Sequence, residues 1–409
     1  MLLRQTMIIA LSLIIATGCN TDDADSSQRQ PLMRNAGDVA PADWQPLPSA
    51  PALDAETRAA RLRILGDTGE DPSRVKLWWA GVSTFIVAIG GHLVLLDAWE
   101  VVGVHKGYVP VSRDDLVALK PEAIFIGHGH FDHAADARYV ASRTGAALVA
   151  GSSVCDAARA DAAANPSARP FACLDLGTDA GNPAGTVFPV RVFRDLADIQ
   201  IIKHSHSAAD PASLLQGGMP LAYTPELIPF LLSLNTDVSE TLSFLLTLPD
   251  DGGVGQPEGG TWAYHFRVGR FFLLWNDSTG EMPENDPQAD AIRDAIRSLP
   301  ECVDVHVEAA RSTLFIPNHH DAWFPVIGGG AAAYETQWRA ALNTLPQPPQ
   351  LDYVRDPEDY LKVRSFTVND PSGRGRERAG NDSWHWPGTP PTAISDPLSR
   401  LVTARPSRA

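Results

Sequence analysis

Alternating apolar and polar positions, interrupted by glycine-containing turns, predict a β-rich domain that begins near Val75. Continuous or alternating runs of Val, Ile, Leu, Phe and Trp predict strands at residues 75–79, 84–89, 92–96, 123–126, 187–193, 199–203, 262–268, 271–275 and 303–307. Tight hairpin turns are expected at residues 90–91 and 269–270, where glycine joins two such runs.

Two segments between these strands have helical character, residues 114–119 and residues 132–144. In the second, alanines recur on one side and Gly145 marks the end. Because hairpins alternate with helices, the pattern predicts an α+β fold in which two sheets lie between layers of helices, not a purely parallel sheet.

Three stretches lack this patterning. Residues 19–72 are rich in Asp, Ala, Pro and Ser and predict a tether followed by an irregular lead-in. Within residues 209–249, Pro225 and Pro229 interrupt any long helix, and the segment predicts either an apolar lid over an active site or a peripheral part of the core. We therefore expect a folded domain at residues 73–345 and a partly disordered C-terminal extension at residues 346–409.

The first 18 residues have the composition of a secretory signal. Arg4 precedes an apolar run over residues 7–16, which is too short for a mature span of about 20 residues. The run ends in Ala-Thr-Gly-Cys19, which resembles the lipobox of bacterial lipoproteins, in which the cysteine is lipidated. With Asn20 next, this interpretation predicts a lipid anchor in the outer membrane, on its periplasmic side; the alternative is an ordinary cleaved signal.

Composition narrows the classes of protein that fit. The chain has 409 residues, of which 44% are hydrophobic, so a packed core is expected and a wholly disordered chain is excluded. Its net charge of −16 argues against binding to a nucleic-acid backbone, which requires clustered Lys and Arg.

The four cysteines are too few for a scaffold built on disulfides. In an exported chain, however, Cys155 and Cys173 can pair across the Ala- and Pro-rich stretch that separates them. The alternative is two separate thiols.

The chemistry is concentrated in the hexapeptide His128-Gly-His130-Phe-Asp132-His133, which follows the predicted strand at residues 123–126. The rings of His128 and His130 are two residues apart and can point the same way. Asp132 and His133 follow at the turn into the next helix and face a slightly different point. One hexapeptide can therefore supply ligands to two neighbouring metal ions.

This segment resembles the His-x-His-x-Asp-His signature of the metallo-β-lactamase superfamily. Other residues match later or earlier motifs of that superfamily in order along the chain: Asp97, His204 or His206, Asp277 and His319. The resemblance covers residues 75–340 and implies a four-layer αββα sandwich with two mixed β-sheets flanked by helices. The segment at residues 79–83 and the Pro-x-His-x-Asp ending look most like the branch that contains ascorbate-phosphate lactonase and N-acyl phosphatidylethanolamine phospholipase D.

The resemblance implies seven ligands for two Zn²⁺ ions, with Asp277 as the bridge: His128, His130, Asp132, His133, His206, Asp277 and His319. His204 is the alternative to His206, and His320 is the alternative to His319. Four residues are implied as groups that orient ligands or contact substrate: Asp97, His204, His320 and Asp321. Zinc is expected because His130 stands where di-iron relatives carry Glu, although other divalent metals would also suit these ligands.

The resemblance further implies a metal-dependent hydrolase in which a zinc-bound hydroxide cleaves an ester-type bond, such as a phosphodiester or a lactone. Asp132 and His133 are the implied catalytic residues, with Asp132 passing a proton to the leaving group. The expected partners are a small-molecule or lipid substrate and, through the anchor, the membrane. The alternative is a surface lipoprotein that contains the metal and binds without catalysis.

Overall fold

The structure is a computed structural model. It describes residues 44–369, except for 101–109, 130, 178–181, 205–259, 278–286, 299–313, 319–334, 336–337, 341, 346–347 and 356–358. The predicted signal, the predicted strand at 303–307, the stretch at 209–249 and the end of the chain after residue 369 lie outside the described residues.

In chain order, the elements are α1 Ala55–Leu65, β1 Arg74–Gly81, β2 Thr84–Ile89, β3 His92–Leu96, α2 Arg113–Ala118, β4 Ala123–Phe125, α3 Phe131–Ala134, α4 Ala137–Thr144, β5 Ala147–Ala150, α5 Ser152–Ala164, β6 Cys173–Asp175, β7 Val187–Val190, β8 Ile199–His204, β9 Thr261–Val268, β10 Phe271–Trp275, α6 Pro287–Arg297, β11 Leu314–Phe315, β12 Gln350–Leu351 and β13 Arg364–Thr367.

The larger sheet has the strand order β13-β1-β2-β3-β4-β5-β6. Its first four strands are antiparallel, whereas β3 to β6 run parallel. Gly90 and Gly91 form the turn between β2 and β3 with φ angles of 61° and 87°, which glycine adopts without a steric penalty. This hairpin determines the register in which Phe85 faces Leu96.

The smaller sheet has the order β10-β9-β8-β7, and its neighbouring strands are antiparallel. A parallel pair, β11 and β12, forms a third, two-stranded sheet. The predicted hairpin at residues 269–270 is confirmed, since it joins β9 to β10.

The hydrophobic residues separate into three clusters that define four layers. The central cluster joins one face of each sheet and includes Trp79, Phe125, Trp262 and Trp275. A second cluster packs the outer face of the larger sheet on helices, since it contains Ile124 and Leu148 of the sheet together with buried residues of α4 and α5. The third packs the outer face of the smaller sheet on α6. The predicted αββα sandwich is therefore confirmed.

Helix α1 shows that the prediction of an irregular lead-in was wrong for residues 55–65. Asp54 caps this helix by accepting a hydrogen bond from the Thr57 backbone N–H, and Gly66 ends it in the left-handed conformation. Arg61 lies on the buried side of the helix and donates to the backbone carbonyls of Leu119 and Lys120. The apolar periodicity of this segment is too weak to predict the helix, because the buried Arg61 contributes to its packing.

The single helix predicted at residues 132–144 is instead two helices, α3 and α4. Asp136 separates them because its backbone N–H donates to the Ala98 carbonyl and its carboxylate accepts from the Glu100 N–H. These bonds attach the break to the segment that follows β3, and they align α3 with the end of that strand.

The expected domain end at residue 345 was also wrong, because β13 pairs with β1 and completes the edge of the larger sheet. Phe366 of β13 lies in the central cluster, and Arg364 forms a buried ion pair with Asp352. The distance in sequence between β1 and β13 explains why local patterning did not reveal the pair.

Cys155 and Cys173 form a disulfide, with their Cα atoms 5.9 Å apart. Cys155 lies on α5, so the first half of the Ala- and Pro-rich stretch between the two cysteines is helical, and Cys173 is the first residue of β6. The bond therefore attaches an outer helix to the edge strand of the larger sheet.

Replacing both cysteines of this pair with serine is expected to lower the free energy of unfolding by about 3 kcal/mol, because the unfolded chain then loses a cross-link over 18 residues. Thermal unfolding with and without a reductant measures the effect. The reductant should lower the midpoint of the wild-type protein and leave that of the double variant unchanged; equal sensitivity in both would contradict the prediction.

Candidate metal centre

The candidate residues lie where strands of both sheets end at one edge of the sandwich. Asp97 directly follows β3, His128 follows the parallel strand β4, and Asp277 follows β10 of the smaller sheet. The carboxyl ends of neighbouring parallel strands meet at the same edge of a sheet, so the loops after them form a common site. The fold therefore brings together residues that are up to 180 positions apart.

The centre of the site is a buried set of donor atoms from His128, His133 and Asp277, all within 4.8 Å of one another. His128 Nδ1 donates to Asp277 Oδ2 over 2.6 Å, and His133 Nδ1 lies 3.2 Å from the same oxygen. The two imidazole centroids are 4.0 Å apart. Oδ2 of Asp277 thus contacts both imidazole rings.

Gly127 makes this approach possible. A Cβ atom at this position would overlap the Asp277 carboxylate, so any side chain would displace the acid from the site. The backbone carbonyl of Gly127 accepts a hydrogen bond of 2.8 Å from the N–H of Trp262, which fixes the loop against β9. The glycine between Ile126 and His128 is therefore a steric requirement of the site.

Asp97 connects three segments around the histidines. Its Oδ1 accepts from the Gly127 N–H over 3.0 Å, and its Oδ2 accepts from the Ser83 hydroxyl over 2.5 Å and from His133 Nδ1 over 2.7 Å. Asp97 has a φ angle of 55°, a left-handed conformation that Asp tolerates better than most residues. Asp97 therefore orients the Gly127 loop and the imidazole of His133.

The charges in this cluster shift one another strongly. Burial, together with the charge of Asp277, raises the pKa of Asp97 to about 7. Burial also acts to raise the pKa of Asp277, but the charges and hydrogen bonds of His128 and His133 outweigh it and hold that pKa well below its usual value. Burial opposes the charged form of His133, yet the neighbouring carboxylates raise its pKa well above the ordinary value. When no cation is bound, protons on the buried groups therefore balance the negative charge of the carboxylates.

This donor set fits a divalent metal ion. Two imidazole nitrogens and a carboxylate oxygen are ligands that zinc takes in proteins. Asp277 Oδ1 is buried and has no hydrogen-bond partner among the residues that the structure describes. Such an atom is costly to bury without a partner, and a cation would supply one.

Of the residues expected at the site, the structure brings His128, His133 and Asp277 into one set, with Asp97 in contact with it. Asp132 is fully buried, and its Oδ1 lies 3.7 Å from His133 Nε2. His204 is buried at the end of β8, outside the donor set found among the described residues. The other expected residues lie outside the described part of the chain: His130, His206, His319, His320 and Asp321.

Sequence reasoning missed the roles of Ser83 and Gly127. The hairpin gave a partial signal for Ser83, because the register in which Phe85 faces Leu96 places the start of β2, which follows Ser83, beside the end of β3, which precedes Asp97. The need for Gly127 had no local signal, because it depends on Asp277, which lies on the other sheet.

Comparison with known proteins agrees with this architecture. Residues 63–200 match the model of the family described as the metallo-beta-lactamase superfamily. A UPF0173 metal-dependent hydrolase of Pyrobaculum islandicum is 36% identical over 75 residues, which are 18% of this chain and 32% of that protein. A UPF0173 metal-dependent hydrolase of Myxococcus xanthus is 28% identical over 180 residues, or 44% of this chain and 54% of that protein. The chain thus spans about a third to a half of these relatives.

Two solved structures are similar over most of the chain. The metallo hydrolase Igni18 of Ignicoccus hospitalis is 16% identical and covers 72% of this chain and 98% of its own, with a TM-score of 0.39. A possible metal-dependent hydrolase of Veillonella parvula is 12% identical and covers 74% and 88%, with a TM-score of 0.35. The match to the metallo-β-lactamase superfamily covers residues 63–200, about a third of the chain, and the two sheets flanked by helices have the fold that this similarity implies.

Proposed function

We propose that this protein is a metal-dependent hydrolase that cleaves an ester-type bond at a centre of two zinc ions. The observation that carries the proposal is the buried set of His128, His133 and Asp277, in which one carboxylate oxygen lacks a hydrogen-bond partner within the described part of the chain. The curated relatives, which are named metal-dependent hydrolases, support the reaction class.

In this proposal His128, His133 and Asp277 would hold the metal ions, and Asp277 would be the ligand that the two ions share. The ligand set is completed by residues that sequence reasoning supplies: His130, Asp132, His206 and His319. Bound zinc would lower the pKa of a coordinated water to about 7 and polarise the bond to be cleaved.

The residues of the chain prepare this chemistry. Asp97 accepts a hydrogen bond from His133 Nδ1, which leaves Nε2 as the nitrogen able to bind metal. The Asp132 carboxylate lies on that Nε2 side, 3.7 Å away, so both groups face one point. We assign to Asp132 the additional task of carrying a proton to the leaving group.

We further propose that the substrate is a phosphodiester, a lipid or a lactone. The resemblance of residues 79–83 to the branch that contains ascorbate-phosphate lactonase and N-acyl phosphatidylethanolamine phospholipase D supports this choice, as does the apolar stretch at residues 209–249. A panel of bis-p-nitrophenyl phosphate, lactones and the β-lactam nitrocefin tests it. Turnover of one class identifies the chemistry, whereas bound metal without turnover of any would favour a binding protein.

We also propose that the protein lies in the bacterial cell envelope, anchored through Cys19 in the outer membrane and facing the periplasm. The lipobox-like segment supports export, and so does the disulfide between Cys155 and Cys173, because such bonds persist in oxidising compartments. None of the described helices is long and apolar enough to cross a bilayer.

The isosteric change Asp277→Asn removes the negative charge that lies between His128 and His133. We expect this change to lower zinc affinity at least about tenfold. Metal analysis after dialysis should find about two zinc ions in the wild-type protein. Asp156→Asn, which removes the same charge from an exposed site, is the matched control and should retain both ions. Full zinc content in Asp277→Asn would refute the assignment of this ligand.

Asp132→Ala should lower kcat/KM at least about 100-fold on whichever substrate of the panel is hydrolysed, because it removes a ligand and the proton carrier together. The thermal midpoint, measured in parallel, reports whether the fold is retained. Wild-type turnover by the zinc-loaded variant would exclude a catalytic role for Asp132.

Cys19→Ser should abolish incorporation of labelled palmitate in a bacterial host and move the protein from the membrane fraction to the soluble fraction. Cys302→Ser is the control and should leave both properties unchanged. Membrane retention without any lipid label on the wild-type protein would show that Cys19 is not the anchor.

A further inference from the structure

We propose that Ser83 is a positioning residue of the metal centre, whose hydroxyl fixes Asp97 and His133 relative to each other before metal binds. This inference rests on the proposed function, because it assigns Ser83 a task in preparing a metal ligand. Ser83 belongs to the turn between β1 and β2, outside every motif that supplies ligands.

Ser83, Asp97 and His133 form a closed triangle of polar atoms. Ser83 Oγ lies 2.5 Å from Asp97 Oδ2 and 2.7 Å from His133 Nδ1, while Asp97 Oδ2 and His133 Nδ1 are 2.7 Å apart. All three residues are fully buried. Water therefore cannot easily replace any member.

The chemistry of the three groups determines which one donates. The carboxylate only accepts, so the Ser83 hydroxyl donates its single proton to Asp97 Oδ2. The Ser83 oxygen then accepts from His133 Nδ1, whose proton is shared between Ser83 and Asp97. Since Asp97 Oδ1 already accepts from the Gly127 N–H, both oxygens of the acid are oriented.

This arrangement restrains the imidazole ring in two ways. With its Nδ1 proton held by two oxygens, the ring of His133 is restrained from rotating about its Cβ–Cγ bond, and Nε2 remains the available nitrogen. The backbone carbonyl of His133 adds a second restraint, since it accepts from the Ala98 N–H over 2.8 Å. Partners beyond the ligands commonly orient metal-binding histidines in this way.

The backbone before Ser83 provides an independent observation. Val82 has a φ angle of 49°, a left-handed conformation that is strained for a β-branched residue. Its carbonyl accepts a hydrogen bond of 2.9 Å from Trp79 Nε1, and the register of β1 and β2 shifts between Trp79 and Gly81. Bulges and strained residues of this kind redirect a side chain, here that of Ser83, and they cluster at functional sites.

The test compares Ser83→Ala with Ser142→Ala, which removes an equally buried hydroxyl whose hydrogen bonds lie within helix α4: it donates to the Tyr139 carbonyl and accepts from the Arg143 guanidinium. Zinc affinity is measured by competition with a chromogenic chelator, and solvent exchange of the His133 Nδ1 proton is measured by NMR on metal-free, ¹⁵N-histidine-labelled protein. We expect Ser83→Ala to lower zinc affinity about 10-fold to 100-fold. It should also accelerate the proton exchange about fivefold to tenfold, which corresponds to the net loss of one hydrogen bond.

Ser142→Ala should change neither the zinc affinity nor the proton exchange. Ser83→Thr, which keeps the hydroxyl, should have the wild-type value of both. If the added methyl group of Ser83→Thr prevents folding, the two alanine variants decide alone. Ser83→Ala with unchanged zinc affinity and unchanged proton exchange would overturn the proposal and leave Ser83 a packing residue. A wild-type protein that binds no zinc would instead refute the proposed function, whereas the exchange of the Nδ1 proton would still decide whether Ser83 fixes His133.

Discussion

The site depends on one buried carboxylate, that of Asp97. It accepts hydrogen bonds from the Gly127 backbone, the Ser83 hydroxyl and the His133 ring, and so connects three segments that meet only in the folded chain. Burying an acid is costly unless it is paired and hydrogen-bonded, and here its partners are the groups that need orientation. The hydrogen bonds that offset the cost of burying Asp97 thus also orient the Gly127 loop and His133.

The charge balance of the site follows from this burial. Asp97, Asp132 and Asp277 are all buried around His128 and His133, so the carboxylates need positive charge nearby. In the metal-free protein the imidazoles provide it, which explains the raised pKa of His133 and the lowered pKa of Asp277. A site with this excess of carboxylates favours cations, and its proton content is coupled to metal binding.

The sandwich provides the rigidity that this balance requires. The central cluster joins the inner faces of the two sheets, and Trp79, Phe125 and Trp275 belong to it close to the strand ends that carry the site. Tyr264 of β9 adds a direct connection between the sheets, because its hydroxyl donates to the Ile126 carbonyl over 2.7 Å. The loop that carries His128 is therefore supported by the smaller sheet as well as by its own strand.

The sequence by itself predicted the strands from β1 to β4 and from β7 to β10, the two hairpin turns and three residues of the candidate metal centre, His128, His133 and Asp277, because these depend on local periodicity and on motifs of close spacing. It did not reveal α1, the break before α4 or β13, since each depends on partners distant along the chain: the carbonyls that receive Arg61, the contact of Asp136 with Ala98, and the pairing with β1. Only the tertiary structure placed Asp277 against Gly127 and Ser83 between Asp97 and His133, because these contacts arise where separate strands end at one edge.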